Sequence, residues 1–168
     1  FAISATADEF EPRPALAFEA KLADGSSFAV PESIDRPTVL FFWATWCPYC
    51  KQLMPHLQSI IDELGADSVS VVAISVFEED DADPSGYVAD NGYQFAVLEK
   101  GEAIASTYGV KGTPGVFLLD TDGQVRWHLG LARQAEARVA GIERHGSRAK
   151  RRAPFWAAAL RQALDSVR

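Results

Sequence analysis

The stretch Val39–Leu57, VLFFWATWCPYCKQLMPHL, changes its hydrophobic period half-way along. Thr38 to Trp43 is dense in β-branched and aromatic residues and shows no polar alternation after Thr38, the pattern of a strand buried on both faces. From Pro48 onward the period becomes helical: Leu53, Leu57, Ile60, Ile61 and Leu64 recur at spacings of three and four, and Gly65 closes the run. Pro55 lies inside this helix and predicts a kink. Cys47 and Cys50 sit where the strand hands over to the helix.

That placement gives the cysteines a chemistry. Cys47 falls at the helix N-terminus, where unsatisfied N–H groups and the helix dipole favour a thiolate, the attacking species in disulfide exchange. Cys50, one turn along, is placed to resolve a mixed disulfide and is expected to be the more buried thiol. Pro48 suits the first turn, where an N–H has no helical partner. Trp43 reads as core. Trp46 is expected to be partly exposed as a substrate contact, and Tyr49 either touches a partner or covers the helix surface. The chain has only these two cysteines. A structural disulfide framework calls for more cysteines and longer loops, and a structural zinc site calls for two further ligands. His56, His128 and His145 are scattered and form no close-spaced ligand pair. Redox use is the economical reading, with no metal.

The remaining sequence is that of a soluble globular protein. Its 168 residues suffice for one domain with a core, and hydrophobic and charged residues make up 48% and 23%. The apolar runs, Val39 to Trp43 among them, fall far short of the roughly 20 residues of a membrane span. The chain opens on Phe1, which reads as a trimmed or excerpted end, so a signal peptide or membrane tether lost from it is an open expectation. The net charge of -7 argues against nucleic acid as the main partner. Residues 144–168 hold seven basic groups against one acid, Asp165, so this tail carries +6 and the body -13.

Ala15–Lys21 and Ser27–Val30 read as strands joined through Asp24-Gly25, a hairpin signal. Val69–Val76 reads as a second buried strand. The acidic run Glu78 to Asp83 reads as a solvated loop leading into a helix that starts at Asp83-Pro84 and ends at Asn91-Gly92. A brief strand at Phe95–Leu98 and a short helix at Glu102–Tyr108 follow. Gly115–Leu119 and Gln124–Leu129 form a second hairpin about the turn Asp120–Gly123. Ala132–Arg144 is expected to be helical, though weakened by Gly141, and Gly146–Ala153 a basic, loop-like link. Trp156, Leu160, Ala163, Leu164 and Val167 line one face of a last helix. The fold class is α/β: an N-terminal β-hairpin, a central mixed sheet flanked by helices, a helix-containing insertion and a C-terminal helical extension. The expected divisions are an N-terminal extension (1–14), the main domain (15–144) and a basic linker with an amphipathic helix (145–168) packed on the domain or on a partner.

Two separated motifs carry a family resemblance. VLFFWATWCPYCKQLMPHL and YGVKGTPGVFLLDTDGQV (Tyr108–Val125) resemble thioredoxin-like proteins, especially the TlpA/ResA branch, over about residues 15 to 131. The insertion near residues 77–98 also matches that branch better than plain thioredoxin. The resemblance implies a thioredoxin-like fold, with Pro114 cis and facing the dithiol. The backbone of Thr113 is then left to pair with an extended client strand. It implies catalytic Cys47 and Cys50, and client contacts at Trp46, Pro48, Tyr49, Thr113 and Pro114. It further implies a thiol–disulfide oxidoreductase that needs no cofactor and acts as an extracytoplasmic, periplasmic reductase. Its partners would be protein thiol or disulfide clients and a membrane thiol-transfer protein that recharges it.

The chain departs from the family at two positions. Phe41 stands where thioredoxin has a buried aspartate, and Leu53 where many TlpA/ResA members have a glutamate. Both usual proton acceptors for Cys50 are missing, and an apolar neighbourhood disfavours its thiolate. Glu78 or Glu79 is the candidate substitute. The Pro48-Tyr49 dipeptide between the cysteines is similar to that of glutaredoxin, though the surrounding motifs are not, which leaves disulfide oxidase or isomerase activity as an alternative. A peroxiredoxin would need Thr or Ser at position 44, where Ala44 stands. A copper chaperone of the Sco type has three residues between its cysteines, against two here. Copper-site assembly, with His56 as the conceivable ligand, is the minor alternative. The basic stretch Arg144–Arg152 suits an anionic membrane, an acidic partner or a solvated linker.

Overall fold

The computed structural model describes residues 10–139 and 148–168, with the side chains of 136–139 left aside. Gly141, Arg144 and His145 lie outside the described residues. The centre of the molecule is strand β4 (Thr38–Trp43), every residue of which is buried. It pairs in parallel with β5 (Ser70–Ser75) and antiparallel with β7 (Gly115–Leu119). Beyond β5 lies the short parallel strand β6 (Ala96–Leu98), and beyond β7 the antiparallel β8 (Gln124–His128). The far edge is β1 (Arg13–Pro14), whose Arg13 pairs with Val125. This gives a six-stranded mixed sheet in the order β1-β8-β7-β4-β5-β6.

Because side chains alternate across a strand, β4 feeds two cores. Val39, Phe41 and Trp43 join the layer that holds α1 (Pro48–Leu64) and α5 (Arg148–Asp165). Leu40 and Phe42 join the opposite layer with Phe28, Val30 and Ala105. The absence of polar alternation after Thr38 is the sequence trace of this two-sided burial. The second layer is closed by a separate hairpin, β2 (Phe18–Lys21) with β3 (Ser27–Val30). Its turn is held by Asp24, whose carboxylate accepts from the Ser26 N–H (2.8 Å) and hydroxyl (2.6 Å), with Gly25 at φ 87°. Tyr108, just past α3 (Glu102–Thr107), ties the N-terminal segment down: its hydroxyl donates to the Leu16 carbonyl at 2.7 Å. Burial pushes that phenol up to about 12.

The insertion between β5 and β6 carries α2 (Pro84–Asp90). Asp83 caps it by accepting from the Gly86 N–H at 2.9 Å, and Pro84 occupies the first turn. Two expectations shift at the C-terminal end. Helix α4 (Leu129–Val139) starts three residues before Ala132, directly from β8. Of the stretch expected as a loop-like link, residues 148–153 are helical, because α5 begins at Arg148. Arginine, lysine and alanine are good helix formers. Ala149 and Ala153 extend the buried stripe of Trp156, Ala157, Leu160 and Leu164 by more than a turn. The small alanines hid that stripe from a reading keyed to large apolar residues. Among the described residues, no helix is long and apolar enough to cross a membrane.

The docking of α5 on α1 is a test of this architecture. Leu160 is 1% exposed within the shared core. Leu160→Ala is expected to lower the unfolding free energy by about 2–5 kcal/mol in chemical denaturation. A loss below about 0.5 kcal/mol would mean that α5 is not packed as described.

Candidate active site

The chain leaves β4 at Trp43 and turns through Ala44, Thr45 and Trp46 into α1. Two backbone bonds shape the turn: the Val76 N–H donates to the Trp43 carbonyl (2.9 Å), and the Cys47 N–H donates to the Ala44 carbonyl (3.0 Å). Cys47 is the N-cap of α1, with extended backbone (φ -84°, ψ 109°) and Pro48 following at the first helical position. Its Sγ accepts from the Cys50 N–H at 3.2 Å. An amide aimed at sulfur and a helix N-terminus both favour negative charge there. Cys47 and Cys50 are disulfide-bonded, with their Cα atoms 5.3 Å apart. Both are shielded: Cys47 exposes 2% of its surface and Cys50 none.

On one side of the dithiol lies an exposed apolar platform. Trp46 is 53% exposed, and its indole N–H donates to the Phe77 carbonyl at 2.8 Å. Phe77 is itself exposed and adopts φ 58°, a conformation uncommon for a bulky residue. The Phe77 N–H donates to Glu102 at 2.9 Å, which anchors this left-handed turn from α3. The next residue, Glu78, is half-buried and grips the loop before Cys47. One carboxylate oxygen accepts from the Thr45 N–H (2.8 Å), the other from the Thr45 hydroxyl (2.6 Å). Glu79 is exposed.

On the other side lies the loop before β7. The Thr113–Pro114 peptide bond is cis. Phe42 pairs with Gly115, so the register sets Pro114 alongside the C-terminal end of β4, where the dithiol turn begins. The Pro114 carbonyl accepts from Arg133 Nη2 of α4 at 3.0 Å. Thr113 Oγ1 is buried with no hydrogen-bond partner among the described residues, as are Trp43 Nε1 and Ser75 Oγ. A groove of about 270 Å³ runs from this loop, lined by Lys111, Gly112, Pro114, Gly115, Gly130 and Arg133 among others.

Pro48 is exposed, whereas Tyr49 is half-buried and packs inward: its ring lies 6.0 Å from that of Trp156 on α5, and the Arg152 guanidinium sits 5.9 Å from its centroid. Arg133 lies over the other ring of this pair, 5.3 Å from the Trp156 centroid. Phe41 and Leu53, where relatives carry acids, are both buried in the apolar layer around Cys50. Among the described residues, no group of three or more His, Cys, Asp or Glu side chains is arranged to hold a metal ion. Reasoning from sequence named Glu78 without finding its partner Thr45, and missed Arg133, Arg152 and the place of Trp156 beside Tyr49. Each contact joins residues far apart in the chain, and no local pattern marks them.

Comparison with known proteins bears on the same residues. The AhpC/TSA family matches residues 12–128, the span from β1 through β8 that includes the dithiol turn and the Thr113–Pro114 loop. The thiol-disulfide oxidoreductase ResA of Bacillus thuringiensis (strain Al Hakam) is 32% identical over 103 residues, covering 61% of this chain and 59% of that protein. This chain thus spans less than two thirds of that relative. Sporulation thiol-disulfide oxidoreductase A of Bacillus subtilis (strain 168) is 30% identical over 126 residues, 73% of this chain and 75% of that protein. A solved thiol:disulfide interchange protein of the thioredoxin family from Chlorobium tepidum TLS superposes with a TM-score of 0.66 at 19% identity, covering 94% and 97% of the two chains, and shows the fold. With both motifs inside the matched span and ResA and its sporulation counterpart as relatives, the chain belongs to the AhpC/TSA family, within the thioredoxin-like TlpA/ResA branch.

Proposed function

We propose that this protein is a thiol–disulfide oxidoreductase that exchanges electrons with protein disulfides through Cys47 and Cys50. The observation that carries this reading is the seat of Cys47: a sulfur at the N-terminus of α1, accepting from the Cys50 N–H and already bonded to Cys50. In the reducing direction the Cys47 thiolate attacks one sulfur of a client disulfide. A mixed disulfide forms, and the second client sulfur leaves as a thiolate that takes up a proton. Cys50, once deprotonated, attacks Cys47 Sγ and releases the client's first sulfur as a thiol. Two electrons pass to the client, and the dithiol ends as the Cys47–Cys50 disulfide.

In this reading the client lies across the mouth of the site. Trp46 and Phe77 supply exposed apolar area on one side, and Pro48 borders the sulfur. On the other side, Pro114 has no N–H to offer, and the Thr113 backbone takes an extended segment of the client. Resemblance to the TlpA/ResA branch supports an extracytoplasmic setting, periplasmic or membrane-tethered, with recharge by a membrane thiol-transfer protein. The unit that carries out this chemistry is the expected domain of residues 15–144, to which α5 is added as a packed extension. Peroxide reduction is disfavoured because buried Ala44 holds the position of the required hydroxyl.

Reduced wild-type protein is expected to reduce insulin, and Cys47→Ser to abolish that activity; undiminished turnover in Cys47→Ser would overturn the assignment. Cys50→Ser is expected to accumulate mixed disulfides through Cys47. Trapping that depends on Cys50 as the attacking sulfur would reverse the two roles.

Resolution depends on removing the Cys50 proton, and the positions of the usual carboxylates are apolar. Stopped-flow resolution of a preformed Cys47 mixed disulfide is expected to accelerate steadily from pH 6 to 9. Leu53→Glu, which places a carboxylate one turn from Cys50, is expected to raise the rate at pH 7 by about tenfold, short of the roughly 10²–10⁴-fold of a fully positioned general base. A fast, flat wild-type profile would mean that another base serves. Slowing by Glu78→Gln would then identify it.

A further inference from the structure

Two walls of the mouth come from different parts of the chain. One is the Cys47–Cys50 turn at the start of α1, and the other is the Thr113–Pro114 loop before β7. A continuous set of contacts joins them through the C-terminal helices. Arg133 Nη2 donates to the Pro114 carbonyl at 3.0 Å, and the same guanidinium lies 5.3 Å from the Trp156 ring centroid. Trp156, 2% exposed, packs at 6.0 Å on Tyr49, the residue between Pro48 and Cys50.

We propose that Arg133 is a positioning residue for client selection, the keystone of a strut Pro114–Arg133–Trp156–Tyr49 that sets the spacing between the docking loop and the dithiol. The inference rests on the reading of this site as a protein-disulfide exchanger. A client held by its backbone at the loop must bring one sulfur over Cys47, so its reaction depends on both walls at once. A small disulfide meets Cys47 alone. Misplacement of about 1 Å between bound groups lowers reaction rates by up to about a hundredfold, and only the two-wall reaction is exposed to that loss. Arg133 is chemically suited to the place: its planar fork donates to a carbonyl while its charge lies over an aromatic ring. It also lines the 270 Å³ groove beside Pro114, so a client strand leaving the loop passes along it.

The test compares kcat/KM for a protein disulfide, insulin, with that for a small aromatic disulfide, 5,5′-dithiobis(2-nitrobenzoate). Arg133 is exposed, so its replacement leaves the fold in place, which thermal unfolding checks. Arg133→Gln is expected to lower the insulin-to-small-disulfide ratio about tenfold, mainly through KM for insulin. Arg133→Lys, which keeps one donor and a cation near Trp156, is expected to recover part of that ratio. A ratio in Arg133→Gln equal to or above the wild-type value overturns the proposal, whether both rates fall together or neither moves. So does an Arg133→Lys variant that recovers nothing. Wild-type protein inert toward both substrates would instead overturn the exchanger reading itself.

Discussion

β4 is paired along both edges and covered on both faces, which leaves it one position in the molecule and one direction in which to leave the sheet. At its C-terminal end the chain passes through three residues to reach Cys47, the N-cap of α1, and the first atom of chemical interest after that turn is Cys47 Sγ. A one-residue slippage of β4 against β5 or β7 would exchange the side chains feeding the two cores. Phe41 and Trp43 would then swap layers with Leu40 and Phe42, at the cost of both. Burial that is indifferent to chemistry thus holds the sulfur at the helix N-terminus to within the tolerance of the core.

The same sheet brings the second half of the site into register. β7 runs antiparallel to β4, so its first residues lie beside the last residues of β4. The Thr113–Pro114 loop therefore borders the dithiol turn although more than sixty residues separate them in sequence. The insertion contributes from the other flank, through Glu78 on Thr45 and the Phe77 carbonyl on Trp46. Three segments, each fixed by a different part of the core, meet around the turn that carries the dithiol.

How much of this was legible follows from the range of each interaction. β4 and the start of α1 could be read to the residue, because two-sided burial and helical period are local patterns and Pro48 marks the first turn. The hairpin at Asp24-Gly25 and the α2 start at Asp83-Pro84 were equally local, being turn and cap chemistry. The two-residue strand β1 was invisible, since no period exists over two residues and its pairing with β8 is purely tertiary. The N-terminal part of α5 resembles a link in the sequence because its buried positions are alanines among arginines, so hydrophobic contrast is low where the packing is close. At the site, both cysteines stood out from their spacing and placement. The grip of Glu78 on Thr45 and of Arg133 on Pro114 did not, because a polar side chain in the sequence does not say which distant backbone group it will find.

The shielding of Cys47 has a kinetic meaning beyond the geometry that produces it. Rates of disulfide exchange depend on access as well as on driving force. With 2% of Cys47 exposed and Cys50 enclosed, the oxidised pair shows little sulfur to solutes in the surroundings. In the proposed exchange, that shielding makes the oxidised pair an insulated store of two-electron oxidising capacity, opened by a partner that binds at the mouth of the site.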